Sequence, residues 1–434
     1  QSQLGAAVES GDYEKIGAFS KQLEPLARGD PRPQVHQTLG VAAWAMGDLQ
    51  NAMGNLSLAA SQACGDPSVL AAIQCNRAGC AMELGQFEDA EQYLREADQR
   101  LPGAPLDARS RLTVRRNMAR FHLTFYRLDD ARKELDSVWA EQRKLFGDDD
   151  PETLRTEADL AFLDFQRGDL YPAAGRYSRA IDLMSATMGK DNVEVAQLRL
   201  KLASVDAERA TPGAPEFCKT ALETADSALA ALGESIGWSH QRAVLAAIDR
   251  LTIAEKCREV TGDTSAVADA FVDAAQRVEQ LQVQLGEENL LVVEANALLA
   301  AISARAQTRP EEALAKIARA EAAYHKLVRL SNCHPAMIRL LEAKARLEIA
   351  SGDIASARGS CETALECSAA WLARHPLRAD LQGALGICFL HQGAKEEAQQ
   401  LFREAYDMLT KIYPQEHPWV QQYLSRHERY WNDR

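Results

Sequence analysis

The feature that most constrains this chain is a phrase that returns along it. In Gly168-Asp169-Leu170-Tyr171-Pro172-Ala173-Ala174-Gly175-Arg176-Tyr177-Ser178-Arg179-Ala180, a turn glycine is followed at +5 by Ala173, at +9 by Tyr177 and at +12 by Ala180. Those offsets put two small residues and one large one on a single helical face. Aligned on Gly47, Gly85, Tyr126, Gly352 and Gly393, the same places hold Ala52, Leu56, Ala59; Ala90, Leu94, Ala97; Ala131, Leu135, Val138; Ala357, Cys361, Ala364; and Ala398, Phe402, Ala405. Looser copies follow Gly11 (with Ile16 and Leu23), Glu216, Gly262 and Thr308 (with Ala313, Ile317 and Ala320). The step runs from 36 residues between Gly11 and Gly47 to 48 between Gly168 and Glu216. A period of this length marks a repeat protein.

Upstream of each turn lies a second amphipathic segment. In Leu39-Gly40 and Leu385-Gly386 a large residue and a glycine precede the turn by eight and seven positions, and Ala119 and Ala161 take the glycine's place elsewhere. A small residue there permits a close helix crossing. Each unit therefore reads as helix, short turn, helix, and neither helix can bury its face without its neighbours.

This pattern resembles the tetratricopeptide repeat. The lead-in phrase Leu145-Phe146-Gly147-Asp148-Asp149-Asp150-Pro151-Glu152-Thr153-Leu154-Arg155 is similar to the kinesin-light-chain type of that family, and Asn332-Cys333-His334-Pro335 and Tyr413-Pro414-Gln415-Glu416-His417-Pro418 are partial echoes of it. Asp150 and His417 are expected to cap the coming helix, with Pro151 and Pro418 in its first turn. The resemblance implies an all-α fold: a right-handed α-solenoid of about ten tetratricopeptide-like helix pairs, closed by a C-terminal capping helix that begins near Pro418-Trp419 and reaches Trp431. Thr211-Pro212-Gly213-Ala214-Pro215 interrupts the pattern, so residues 1–208 and 287–434 are expected to be regular repeats, and 209–286 irregular repeats or an insertion.

Composition narrows the function classes. A formal net charge of −13 argues against binding a phosphate backbone or an anionic membrane. No apolar run is long enough to insert into a bilayer. Nine cysteines, an odd number without a Cys-x-x-Cys pair, favour a reducing, cytoplasmic setting over a disulfide framework. The chain opens at Gln1 without a methionine, as an excised region or processed product would.

The search for catalytic chemistry returns no candidate. Gly233-Glu234-Ser235-Ile236-Gly237 fits the nucleophile-elbow string, but an elbow needs a preceding strand and an alanine-rich helix precedes this one. An inter-helix loop is expected there instead. Cys333-His334 reads as capping and packing rather than as metal ligation. No His-Glu-x-x-His, glycine-rich phosphate loop or paired zinc spacing occurs. The chain is therefore read as no enzyme, with no cofactor and no metal.

In the resembled family the first helix of each pair lines a concave groove. Residues at −13, −10, −6 and −3 from the turn share one face. They include Val41 and Trp44; Cys75 and Gly79; Arg116 and Arg120; Arg155, Phe162 and Phe165; Glu342 and Arg346; and Asp380 and Gly383. Arg116, Arg120 and Arg155 stand on neighbouring helices of an acidic chain beside Phe162 and Phe165. Together they are the predicted partner-binding residues, able to clamp a carboxylate while the rings hold an apolar anchor. The competing reading pairs these arginines with Asp159 and Glu157 and leaves the rings to the core. Replacing Arg116 and Arg120 with Ala is expected to weaken binding and leave stability almost unchanged.

The expected function is a non-catalytic scaffold that holds a peptide or partner protein in its groove. The alternative is the regulatory or sensor region of a larger signalling protein (a kinase, transcription regulator or protease), in intramolecular contact with a domain outside this sequence.

Overall fold

The computed structural model describes residues 2–10, 13–63, 65–100, 108–287, 289–305, 310–327, 335–369 and 375–431. Gly11, Cys64, Thr308 and the Asn332-Cys333-His334 phrase lie outside the described residues, as do the side chains of Ala313 and Trp431. Among the described residues the fold is all-α and the helices follow one another in pairs. The first five pairs are α1 (Ser2–Ser10) with α2 (Tyr13–Ala27), α3 (Pro33–Ala45) with α4 (Leu49–Gln62), α5 (Pro67–Glu83) with α6 (Phe87–Arg100), α7 (Ala108–Thr124) with α8 (Leu128–Phe146), and α9 (Pro151–Arg167) with α10 (Leu170–Met188). Then come α11 (Val193–Arg209) with α12 (Glu216–Ile236), α13 (Gln241–Thr261) with α14 (Ser265–Leu285), and α15 (Leu290–Arg305) with α16 (Pro310–Leu327). The chain finishes with α17 (Pro335–Ser351) and α18 (Ile354–Ser368), α19 (Pro376–His391) and α20 (Lys395–Ile412), and the last helix α21 (Pro418–Trp431). No helix of the described residues is long and apolar enough to cross a membrane.

The repeat phrase becomes the core. Ala52, Leu56 and Ala59, Ala131, Leu135 and Val138, and Ala398, Phe402 and Ala405 are all fully buried. So are Ala221, Ala225 and Ala228, which hold the same places after Glu216. The small-residue row is thus buried after Glu216 as well. Between Arg209 and Glu216 the link is longer than in the other pairs, and Thr211 and Ala214 bridge across a tight turn there. The string around Ser235 is not an inter-helix loop as the sequence suggests. Gly233 to Ile236 form the last turn of α12, and the helix stops at Gly237, whose φ is +83°.

The turns at Gly47, Gly85, Tyr126, Gly168, Gly352 and Gly393 share one geometry. At Gly168 φ is +81°, which lets the amide of Asp169 reach back to Asp164 O at 2.9 Å and close the end of α9. Tyr126 holds the same place in its repeat with φ +53°, and Arg127 N bonds His122 O at 2.9 Å in the same way. That conformation costs a side chain about 1 kcal/mol. The buried Tyr126 ring offsets it. The expected caps are present: Asp150 accepts from Glu152 N at 2.9 Å, and His417 Nδ1 from Trp419 N at 3.2 Å.

The chain forms two compact units, one of Gln1–Leu202 with Thr224–Ala246 (unit 1) and one of Ala203–Glu223 with Ala247–Arg434 (unit 2).

Candidate functional site

In unit 1 the predicted residues lie on α7 and α9, which the turn phrase holds side by side. Arg116 Nε donates to Asp159 Oδ2 at 2.6 Å, and its Nη1 is 3.5 Å from Glu152 Oε2. Arg155 donates to both carboxylate oxygens of Glu194 on α11, at 2.7 and 2.9 Å, and also pairs with Glu152. Arg120 Nε is 3.8 Å from Asp159 Oδ1. Three cations thus meet three carboxylates on successive first helices. Glu152 and Glu194 occupy corresponding places near the starts of α9 and α11, so the pairing repeats from one module to the next.

Burial sets these arginines apart. The Arg116 side chain is 12% exposed and that of Arg120 52%. Burial by itself disfavours a charged Arg116, but Asp159 and Glu152 outweigh it and raise its pKa. Arg155 is raised in the same way, with Glu194 and Glu152 overcoming its burial. Arg116 is therefore not a free surface cation. The expectation that its loss leaves stability almost unchanged does not suit a buried ion pair. Of the two carboxylates considered from sequence, Asp159 does pair with these arginines, whereas Glu157 pairs with Arg179 on α10. Phe162 is partly buried against Ala119, Leu123, Leu135 and Leu163, and Phe165 is half-buried.

The glycines of the same face are receiving sites. A β-carbon on Gly79 would lie 2.3 Å from Trp44 Cη2, so the indole of α3 lies across α5 where a side chain is missing. Asn117 Nδ2 bonds Cys75 Sγ at 2.9 Å and links α7 to α5.

Unit 2 carries a second ion network that sequence reasoning did not assemble. Asp380 accepts from Arg426 Nη1 at 2.9 Å and lies 3.9 Å from Arg346, which also pairs with Glu342. Arg426 Nη2 reaches Glu259 at 2.6 Å. Burial would raise the Asp380 pKa, but Arg426 and Arg346 prevail and hold it at about 2. Trp419 Nε1 donates to Glu208 at 3.0 Å, and Lys256 bridges Glu208 at 2.9 Å and Gln422 at 3.3 Å. The last helix is thus tied to Glu208, Lys256 and Glu259, all within its own unit. The signal available in the sequence was the helical alternation after Pro418; nothing local names residues more than 150 positions away as partners.

No group of three or more His, Cys, Asp or Glu among the described residues is placed to hold a metal ion. Among the described residues no disulfide is present, and the seven cysteines described, Cys75, Cys80, Cys218, Cys257, Cys361, Cys367 and Cys388, are buried. Two of them play one structural part: Cys80 Sγ donates to Leu49 O at 3.4 Å and Cys257 Sγ to Cys218 O at 3.8 Å. Each thiol precedes its own turn by five residues and bonds a carbonyl of the preceding module's second helix.

Residues 111–152 and 336–411 each match a family model described as tetratricopeptide repeat. No curated protein matches the chain. Among solved structures, a Rap protein complexed with competence and sporulation factor is similar at 13% identity, over 83% of this chain and 97% of that one, with a TM-score of 0.52. Yeast Tom70 is 14% identical over 99% of this chain and 94% of its own, with a TM-score of 0.42. The apo form of RapI is 14% identical over 83% and 95%, also at 0.42. The two matched segments support tetratricopeptide repeats at residues 111–152 and 336–411, and the helix pairs with their shared packing positions give the described residues a tetratricopeptide-like solenoid fold.

Proposed function

We propose that the chain is a non-catalytic interaction scaffold that binds a peptide or partner protein on the first-helix face of α7 and α9. The observation that carries this reading is the mixed surface there. Arg120 keeps half its side chain in solvent while Asp159 fixes its direction, and the partly exposed rings of Phe162 and Phe165 lie on the adjacent helix. Such a surface offers a bidentate donor next to an apolar anchor, which suits an extended peptide with a carboxylate close to a hydrophobic side chain. Arg116 and Arg155, matched by their own carboxylates, complete the contact face and hold α7, α9 and α11 in register. The Rap fold relative, solved with a bound factor, supports a binding role by analogy of fold.

Affinity capture from the native cell extract tests the reading, comparing the chain with its Arg120→Ala/Phe165→Ala variant. A protein retained by the original chain and lost from the variant supports this face. Equal recovery by both moves the site elsewhere. Arg120→Lys separates charge from geometry: a bidentate contact fails with lysine, and a simple charge contact survives.

A further inference from the structure

Cys80, Cys257 and Cys388 each precede their turn glycine by five residues, on the first helix of a module. That place faces the second helix of the preceding module. Cys80 packs there in a buried cluster with Leu49, Ala52 and Leu56, the residues at +2, +5 and +9 of the preceding turn. A cysteine so placed ordinarily acts as a small hydrophobe.

In unit 2 a second cysteine stands across the seam from this place in two modules. Cys218 holds the +2 place after Glu216, and Cys257 Sγ lies 3.8 Å from its carbonyl oxygen. Cys361 holds the +9 place after Gly352, opposite Cys388; Leu56, Leu94, Leu135 and Phe402 hold that place in other modules. The thiols of each pair lie within hydrogen-bond reach of each other. All four side chains are buried, and Cys361 packs with Ala345, Ala384 and Leu385. A thiol fills less of the gap between modules than leucine or phenylalanine does, but it can bond to the thiol it faces.

The two members of a pair differ in chemistry. A thiolate at Cys388 accepts a hydrogen bond from Cys361, and one at Cys218 accepts from Cys257, which lowers the pKa of each acceptor below the ordinary thiol value. The donors are raised and keep their protons. One thiol is thus the nucleophile and its neighbour the resolving group.

We propose that Cys218–Cys257 and Cys361–Cys388 are two redox staples: hydrogen peroxide converts each dithiol into a disulfide that ties the second helix of one module to the first helix of the next. The Cys388 thiolate attacks one peroxide oxygen, the O–O bond breaks, and the departing hydroxide takes up the thiol's proton as water. The Cys361 sulfur then attacks the resulting sulfenic sulfur; the S–S bond forms, the S–O bond breaks, and a second water leaves with the Cys361 proton. The pair loses two electrons and two protons, and one peroxide becomes two waters. Cys218 and Cys257 take the same two roles. Cys80, which faces leucines and is pushed up to about 12 by burial, stays a thiol.

Mass analysis of the full chain after mild hydrogen peroxide tests this, with remaining thiols blocked in denaturant before unreduced digestion. The expected product has lost two hydrogens per pair, with the Cys361 and Cys388 peptides joined, the Cys218 and Cys257 peptides joined, and Cys80 blocked as a free thiol. Dithiothreitol should restore the starting mass. The oxidised chain should unfold at a higher denaturant midpoint than the reduced one, because each link restricts the unfolded chain. Cys361→Val should abolish only the first link and Cys257→Ala only the second, so each variant reports the other pair in a chain whose helicity is checked by circular dichroism. An unchanged mass, sulfinic acid in place of a link, or links among other cysteines overturns the proposal. So does a midpoint that falls on oxidation, because the links would then strain the seam instead of securing it.

Discussion

Leu56 Cγ lies 2.7 Å from where a β-carbon on Gly40 would sit, and the backbone oxygen of Ala52 only 3.2 Å away. Leu56 is fully buried and has no room to move aside. The same relation recurs eight modules later, where Phe402 Cε1 lies 2.8 Å from a β-carbon on Gly386. The missing side chain on one helix is what admits the large residue of its partner.

Gly40→Ala and Gly386→Ala should each therefore destabilise the chain. Alanine gains about 1 kcal/mol of helix propensity over glycine, but forcing a methyl into a filled core costs about 1–3 kcal/mol. A net loss of about 1 kcal/mol is expected, read as a lower denaturant midpoint. Gly175→Ala is the control, because nothing lies within 4 Å of its β-position. Its midpoint should rise.

Arg116→Ala and Arg120→Ala should separate structure from binding. Loss of Arg116 leaves the half-buried Asp159 with only the longer contact to Arg120 and Glu152 with only Arg155, for a cost of about 1–3 kcal/mol, between exposed and fully buried pairs. Loss of the half-exposed Arg120 should cost less than about 0.5 kcal/mol. Chemical denaturation of both variants checks the order, and equal midpoints would contradict the ion-pair geometry.

Acid should weaken the fold through histidines held neutral. Burial pulls His240 and His427 down to about 4 and His375 to about 3, from an ordinary value near 6.5. Asp380 pulls His427 the other way, while Arg346 and Arg426 assist the burial. Between pH 6.5 and 4 the unfolded chain binds protons that these folded histidines refuse. Their contribution to stability is full above pH 6.5 and is lost as pH falls to about 4. Midpoints at pH 7, 5.5 and 4.5 should decline in that order, and His427→Gln should flatten the slope even if its midpoint at pH 7 is lower.

Thiol chemistry should follow burial. Burial raises the Cys75 thiol to about 11 and the Cys80 thiol to about 12, so neither presents a thiolate at neutral pH. A bulky thiol reagent applied to the native chain should leave the seven described cysteines unlabelled, and all nine should react in denaturant. Peptide mapping that finds native labelling at Cys361 or Cys388 would contradict their packing.

The turn phrase and its small, large, small row were enough to read the helix pairs, because both follow from spacing along one helix and need no knowledge of distant chain. Asp150 and His417 were legible as caps for the same reason: a cap bonds an amide two or three residues on. The pairing of Arg116 was legible only in part. Asp159 was within view as a nearby carboxylate, but Glu152 and Glu194 come from the starts of the first helices of successive pairs, and the choice of Arg179 for Glu157 depends on the crossing of α9 and α10. The contacts of His240 with Ala45 and of Arg426 with Glu259 had no signal in the sequence at all. Spacing fixes which residues share a helical face; which faces meet after several modules depends on the accumulated crossing angles of every pair between them, and only the tertiary structure sums those.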